Sequence, residues 1–134
     1  QLLFQKDQNS TNVPRKVIEK FANDRLGEPD LATFALALYD GTLQHRTDID
    51  RRLSAAAENW RLNRMMPVDR NILRMGAYEV LHGGLAKEVA VVIDEACELA
   101  RRFGTADSPA FVNGVLDRVV RSDKESPAAS APPA

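Results

Sequence analysis

A single cysteine in 134 residues excludes an internal disulfide framework and suits a reducing cytoplasm, the compartment expected for this chain. Aromatic residues are only 6%, and the formal net charge is −1, so no domain-wide basic surplus exists to draw in nucleic acid by its field alone. No apolar run reaches the roughly 18 to 20 residues of a membrane span, so no membrane association is expected. The start is polar and shows no signal peptide. No segment alternates with a period of two. The β-branched residues gather only at Val89 to Ile93, inside a longer helical pattern. What remains is 44% hydrophobic and 28% charged residues, enough for one all-α domain with a real core.

About seven helices are expected. Gln1-Leu2-Leu3-Phe4-Gln5 reads as the second half of a truncated first helix, and Asp7 to Asn12 as a loop. Pro14 suits the first turn of a second helix carrying Val17, Ile18 and Phe21. Gly27-Glu28-Pro29 breaks it. Asp30 is a plausible cap for a third, with Leu31, Phe34, Ala35, Leu38 and Tyr39 as its apolar stripe, continuing through Asp40-Gly41. Thr47 offers the next cap, ahead of Ile49, Leu53, Ala56 and Ala57. Trp60, Met65 and Met66 anchor a connector. Pro67 opens a helix with Val68, Ile72, Leu73, Met75, Gly76, Val80 and Leu81, closed by Gly83-Gly84. A helix from about Lys87 to Phe103 buries Val89, Val92, Ile93, Ala96, Leu99, Ala100 and Phe103. Gly104 is its expected left-handed cap. Ser108-Pro109 caps the last helix, whose face is Phe111, Val112, Val115, Leu116, Val119 and Val120. The domain is expected over residues 1–121. The Pro/Ala/Ser tail 122–134 is too poor in apolar bulk to fold.

Catalysis finds little support. His45 and His82 lack ligand-spaced partners on their own helices and read as surface residues. Cys97 reads as a small core hydrophobe. Asp94, Glu95 and Glu98 form an acidic edge with Arg101 and Arg102 at ion-pair spacing, and no cofactor motif accompanies them. No enzyme and no cofactor are expected. Two arginine groups remain. Arg51, Arg52, Arg61, Arg64, Arg70 and Arg74 flank the connector, and Arg101, Arg102, Arg118 and Arg121 flank the last turn. Arginine pairs with phosphates and stacks on bases. The alternative is solubility plus pairing with Asp50, Glu58, Asp69 and Asp117. Phe111, beside the Ser108 cap, is either a stacking platform for a base or a core anchor.

Three segments carry a family resemblance. They are Asp69-Arg70-x-x-Leu73-Arg74-x-x-x-Tyr78-Glu79, Ile93-Asp94-Glu95-Ala96-Cys97-Glu98-Leu99-Ala100-Arg101-Arg102-Phe103-Gly104, and Ser108-Pro109-Ala110-Phe111-Val112-Asn113-Gly114-Val115-Leu116-Asp117-Arg118. Together they resemble the NusB family of transcription antitermination factors. The resemblance implies two small helical bundles packed together. It implies binding of single-stranded boxA RNA from ribosomal RNA leader transcripts, and of the small-subunit ribosomal protein NusE. RNA polymerase is engaged indirectly, through that assembly. It places Asp107 and Phe111 at the RNA surface, where Arg101, Arg102 and Arg118 are natural companions, and Phe4 and Asp69 toward NusE. The Asn113-Gly114 pair looks structural, with the glycine permitting close helix approach, the amide satisfying backbone groups, and neither touching RNA. The family's arginine-rich first-helix arm has no counterpart here, Asp94 stands for an asparagine, and Gly83-Gly84 for a more polar loop. NusB-like domains also front ribosomal RNA cytosine methyltransferases, an alternative reading that the disordered-looking tail disfavours. Apolar faces leave room for a homodimer.

Overall fold

In a computed structural model described over residues 1–8, 13–57, 62–83 and 88–125, the chain folds into seven α-helices and a short 3-10 turn, and the described residues contain no strand. The helices are α1 (Leu2–Gln8), α2 (Arg15–Leu26), α3 (Pro29–Gln44), α4 (Arg46–Ala56), α5 (Pro67–Leu81), α6 (Val89–Phe103) and α7 (Ser108–Glu125). The turn, Leu62–Arg64, precedes α5. Four of them, α4 to α7, pack around one apolar core. The second group pairs α2 with α3 and lies against this core chiefly through α3 on α5, with α1 also seated on α5. The expected all-α, two-bundle architecture is present.

Periodicity explains the core. Ile49, Leu53, Ala56 and Ala57 of α4, Ile72, Leu73 and Ala77 of α5, Ala96 and Ala100 of α6, and Val112, Val115, Leu116 and Val119 of α7 form one buried cluster. Each side chain recurs at three- or four-residue steps on its own helix, so one stripe per helix meets at the centre. Two glycines let these helices close. A Cβ on Gly76 of α5 would stand 2.9 Å from Leu116 Cδ1, so the Leu116 side chain seats on bare backbone. A Cβ on Gly41 of α3 would overlap the Tyr78 ring, with even ring carbon Cε1 only 2.6 Å away. That close approach is why Asp40-Gly41 sits inside a helix rather than in a turn.

Several expectations need correction. Asp7 is in the last turn of α1, not in a loop, and Asn9 to Asn12 lie outside the described residues. Neither Asp30 nor Thr47 caps a helix. Glu28 and His45 occupy those positions without a side-chain hydrogen bond, and Asp30 and Asp48 lie in the first turns that follow. Leu31, Phe34, Val17, Val89 and Phe103 are exposed, Phe103 at 57%, because no described helix covers the outer flanks of α2, α3 and α6, and Met66, at the N-cap of α5, is exposed as well. Gly104 is extended (φ −98°), and the left-handed cap occurs instead at Gly27 (φ 71°). Ser108 does not cap forward. Its buried Oγ accepts the Thr105 N–H at 2.9 Å, and it fills the space where a Gly104 side chain would stand. α7 passes the expected limit at Arg121, and Asp123 on it pairs with Arg52 of α4 at 3.1 Å. Trp60, Arg61, Glu58, Gly84, Lys87 and residues 126–134 lie outside the described residues.

Candidate functional site

The site is assembled on α7. The Gly104–Asp107 turn reverses the chain after α6, and the Phe111 N–H donates to the Asp107 carbonyl at 3.2 Å, starting the helix. At about 100° per residue, Asp107, Phe111, Gly114 and Arg118 then fall within one narrow strip. The core-facing Val112, Val115, Leu116 and Val119 lie on the adjoining face, Val115 nearest to Phe111. Asp107 and Arg118 are exposed, whereas Phe111 is half-buried and packs its inner edge on the core cluster. Phe111 is thus a core anchor in part, with the rest of its surface accessible.

The two arginines of α6 stand apart from this strip. Cys97 Sγ donates to the Pro109 carbonyl at 3.6 Å, so that flank of α6 meets α7 at Pro109. Pro109 lies about 200° around α7 from Phe111. Arg101, one turn after Cys97, therefore borders the opposite side of α7. There its guanidinium donates to Glu98 at 2.5 Å, and both side chains are solvated. Arg102 lies over the Phe103 ring, 5.9 Å from the centroid, on the outer face of α6.

Most arginines of the other group are engaged within the protein. Arg74 is 6% exposed and grips both oxygens of Asp50, at 2.8 and 3.0 Å. Its Nη1 also lies 3.5 Å from Asp7. Arg70 donates to Asp7 and to the Leu62 carbonyl at 3.2 Å. Arg52 bridges Asp48 and Asp123, and Arg51 pairs with Asp48. Burial alone would raise the Asp7 carboxyl, but the hydrogen bonds and charges of Arg70 and Arg74 outweigh it and hold the group below the ordinary carboxylate range. Asp48 behaves likewise, with Arg51 and His82 offsetting its desolvation. These cations hold the fold together, and nothing local in the sequence marks them, because Asp7 pairs with an arginine 63 positions away.

A second surface lies around α1. Phe4, 42% exposed, lines a cavity of about 480 Å³ with Phe21, Ile72, Met75 and Phe103. Asp69 is different. It is 8% exposed in the first turn of α5, where the helix dipole favours an anion, and its buried Oδ1 has no hydrogen-bond partner among the described residues. His45 and His82, expected as solvated surface residues, are half-buried and exposed respectively. In the fold their rings stack 4.1 Å apart, Tyr78 lies 5.9 Å from His45, and His82 Nε2 is 3.1 Å from Asp48 Oδ2. Among the described residues no group of three His, Cys, Asp or Glu side chains could hold a metal ion. No helix among them is long and apolar enough to cross a membrane.

The reading of Asn113-Gly114 as a packing pair is not what the fold shows. Asn113 is exposed, and its amide makes no hydrogen bond to the described residues. A Cβ on Gly114 would meet only Arg118 Nη2, at an ordinary 3.7 Å. No other helix among the described residues comes within 4 Å of that Cβ.

The sequence profile of the NusB family matches residues 1–121. The chain belongs to the NusB family. Transcription antitermination protein NusB of Elusimicrobium minutum is 43% identical over 126 residues, which cover 92% of this chain and 89% of that one. A solved structure of T. maritima NusB superposes with a TM-score of 0.79 at 34% identity, covering 89% of this chain and 82% of the other. A chain in the crystal structure of antitermination factors NusB and NusE in complex with dsRNA gives a TM-score of 0.79 over 90% of this chain and 89% of that one. At 24% identity that likeness is one of fold. The Elusimicrobium minutum relative is named for transcription antitermination, not for an enzymatic reaction.

Proposed function

We propose that this NusB-family chain binds boxA-type single-stranded RNA jointly with NusE in the cytoplasm, and so acts on RNA polymerase indirectly. The observation that carries the reading is the α7 strip, where an outward aromatic edge at Phe111 stands between an exposed carboxylate, Asp107, and an exposed guanidinium, Arg118. A base stacked on such a ring contributes about 1–3 kcal/mol. The guanidinium offers charge-assisted bonds to a phosphate, and the carboxylate accepts from a base amino group. A net charge of −1 leaves affinity to these local contacts and to a partner, not to a general field. Arg101, on the far side of α7, and Arg102, on the outer face of α6, supply outlying cationic contacts. NusE docks at the α1 surface, where Phe4 is the direct anchor and Asp69 sets the start of α5 beneath it. The methyltransferase appendage is not favoured, because a free-standing NusB relative is matched over 89% of its length.

A gel shift with a boxA oligoribonucleotide, with and without NusE, tests the reading. BoxA should bind more tightly with NusE present, and Phe111→Ala should weaken it by about tenfold. Equal binding of a scrambled oligonucleotide in both conditions overturns the proposal. Sedimentation of the free chain reads any homodimer formed through the apolar α1 surface.

A further inference from the structure

Gly114 is a glycine that the fold itself does not use. Of every residue type but proline, glycine is the poorest in a helix interior. Gly41, Gly76 and Gly104 each have a packing reason, since an added Cβ would drive into Tyr78, Leu116 or Ser108. Gly27 has a positive φ. Gly114 has neither. Its backbone is helical, and among the described residues the space where its side chain would project is bounded only by Arg118 Nη2 at 3.7 Å.

Its position supplies a reason. Gly114 lies one turn beyond Phe111 and one turn before Arg118, on the strip that also carries Asp107. Bare backbone is the usual device where a ligand must approach a main chain closely. We propose that Gly114 is a notch in the RNA surface, in which the sugar of a nucleotide stacked on Phe111 lies against the α7 backbone while Arg118 reaches its phosphate. The ligand class is a single-stranded ribonucleotide. A purely electrostatic site would not need the gap, because a methyl group there would leave the guanidinium of Arg118 in place. The inference rests on the RNA reading above.

The test is Gly114→Ala, with the boxA oligonucleotide and NusE as probes. The variant should melt a few degrees higher than the parent, since alanine is the better helix former and meets no clash. It should nevertheless bind boxA about tenfold more weakly. Asn113→Ala, about 100° around the helix, should bind as the parent does. Unchanged binding by Gly114→Ala, while Phe111→Ala loses affinity, overturns the notch and leaves the RNA reading standing. Failure of the parent chain itself to bind boxA overturns both. A lower melting temperature for Gly114→Ala also overturns the proposal, because the glycine would then serve the fold.

Discussion

Replacing Asp7 with leucine isolates the network that fastens α1, and with it Phe4, to the main bundle. The Asp7 and Arg70 side chains are 10% and 12% exposed. Leucine fills similar volume but strips Arg70 of the one carboxylate it meets among the described residues, leaving the Leu62 carbonyl at 3.2 Å. Arg74 keeps Asp50. One stranded guanidinium at that depth should cost about 3 kcal/mol, the lower end for breaking a buried pair because the second cation stays compensated. In a chain of this size that lowers the melting temperature by roughly 10 °C. Adding Arg70→Met removes the stranded charge, so the double variant should recover most of the loss. Thermal melts followed by circular dichroism at pH 7 read both. A double variant that melts as low as the single, or a single that melts with the parent, refutes the argument.

The same network has a signed pH dependence. The Asp7 carboxyl is held below its ordinary value of 3.8, so the unfolded chain takes up that proton first as pH falls. The contribution is fully present above 3.8 and is lost as pH drops through the lower folded value. The stability gap between the parent and Asp7→Leu should therefore be constant near neutrality and narrow below about pH 4. A gap that widens on acidification refutes the assignment.

Two further outcomes follow from packing. Gly41→Ala should destabilise the fold by about 1–2 kcal/mol in urea titration, because displacing the Tyr78 ring outweighs the gain in helix propensity; no loss would mean the ring is not seated on that backbone. Burial, and then the charge of Asp94, push the Cys97 thiol up, so iodoacetamide should modify it more slowly at pH 7 than a solvated cysteine peptide; equal or faster modification would contradict that environment.

Much of the helical frame was legible in the residues. Pro67 opens a helix as expected, because a fixed φ and a missing N–H suit the first turn; the same chemistry makes Pro29, expected only as part of a breaker, the first residue of α3. The α4 stripe and most of the α7 stripe are also visible, because Ile49, Leu53, Ala56 and Ala57, and Val112, Val115, Leu116 and Val119, recur at helical steps and become buried, whereas Phe111 and Val120 at the edges of the α7 face stay half-buried. The apolar faces of α2, α3 and α6 were overread at Val17, Leu31, Phe34, Val89 and Phe103. A helical period identifies a side, but only a neighbouring helix decides whether that side is covered. The site was half legible. Asp107, Phe111 and Arg118 share one helix, so their alignment follows from spacing. The placement of Arg101 on the opposite flank depends on how α6 docks.

Local order, set by backbone φ preferences and by the 3.6-residue period, was therefore written in the chain alone: helices, no described strands, and an aromatic and a cation in line on α7. Three-dimensional packing decided what local spacing cannot encode. Arg70 and Arg74 became structural ions because carboxylates distant in the chain came to rest beside them. Gly76 and Gly114 look alike in sequence, yet one receives a leucine and the other faces open space, since only the positions of neighbouring helices distinguish a seat from a gap.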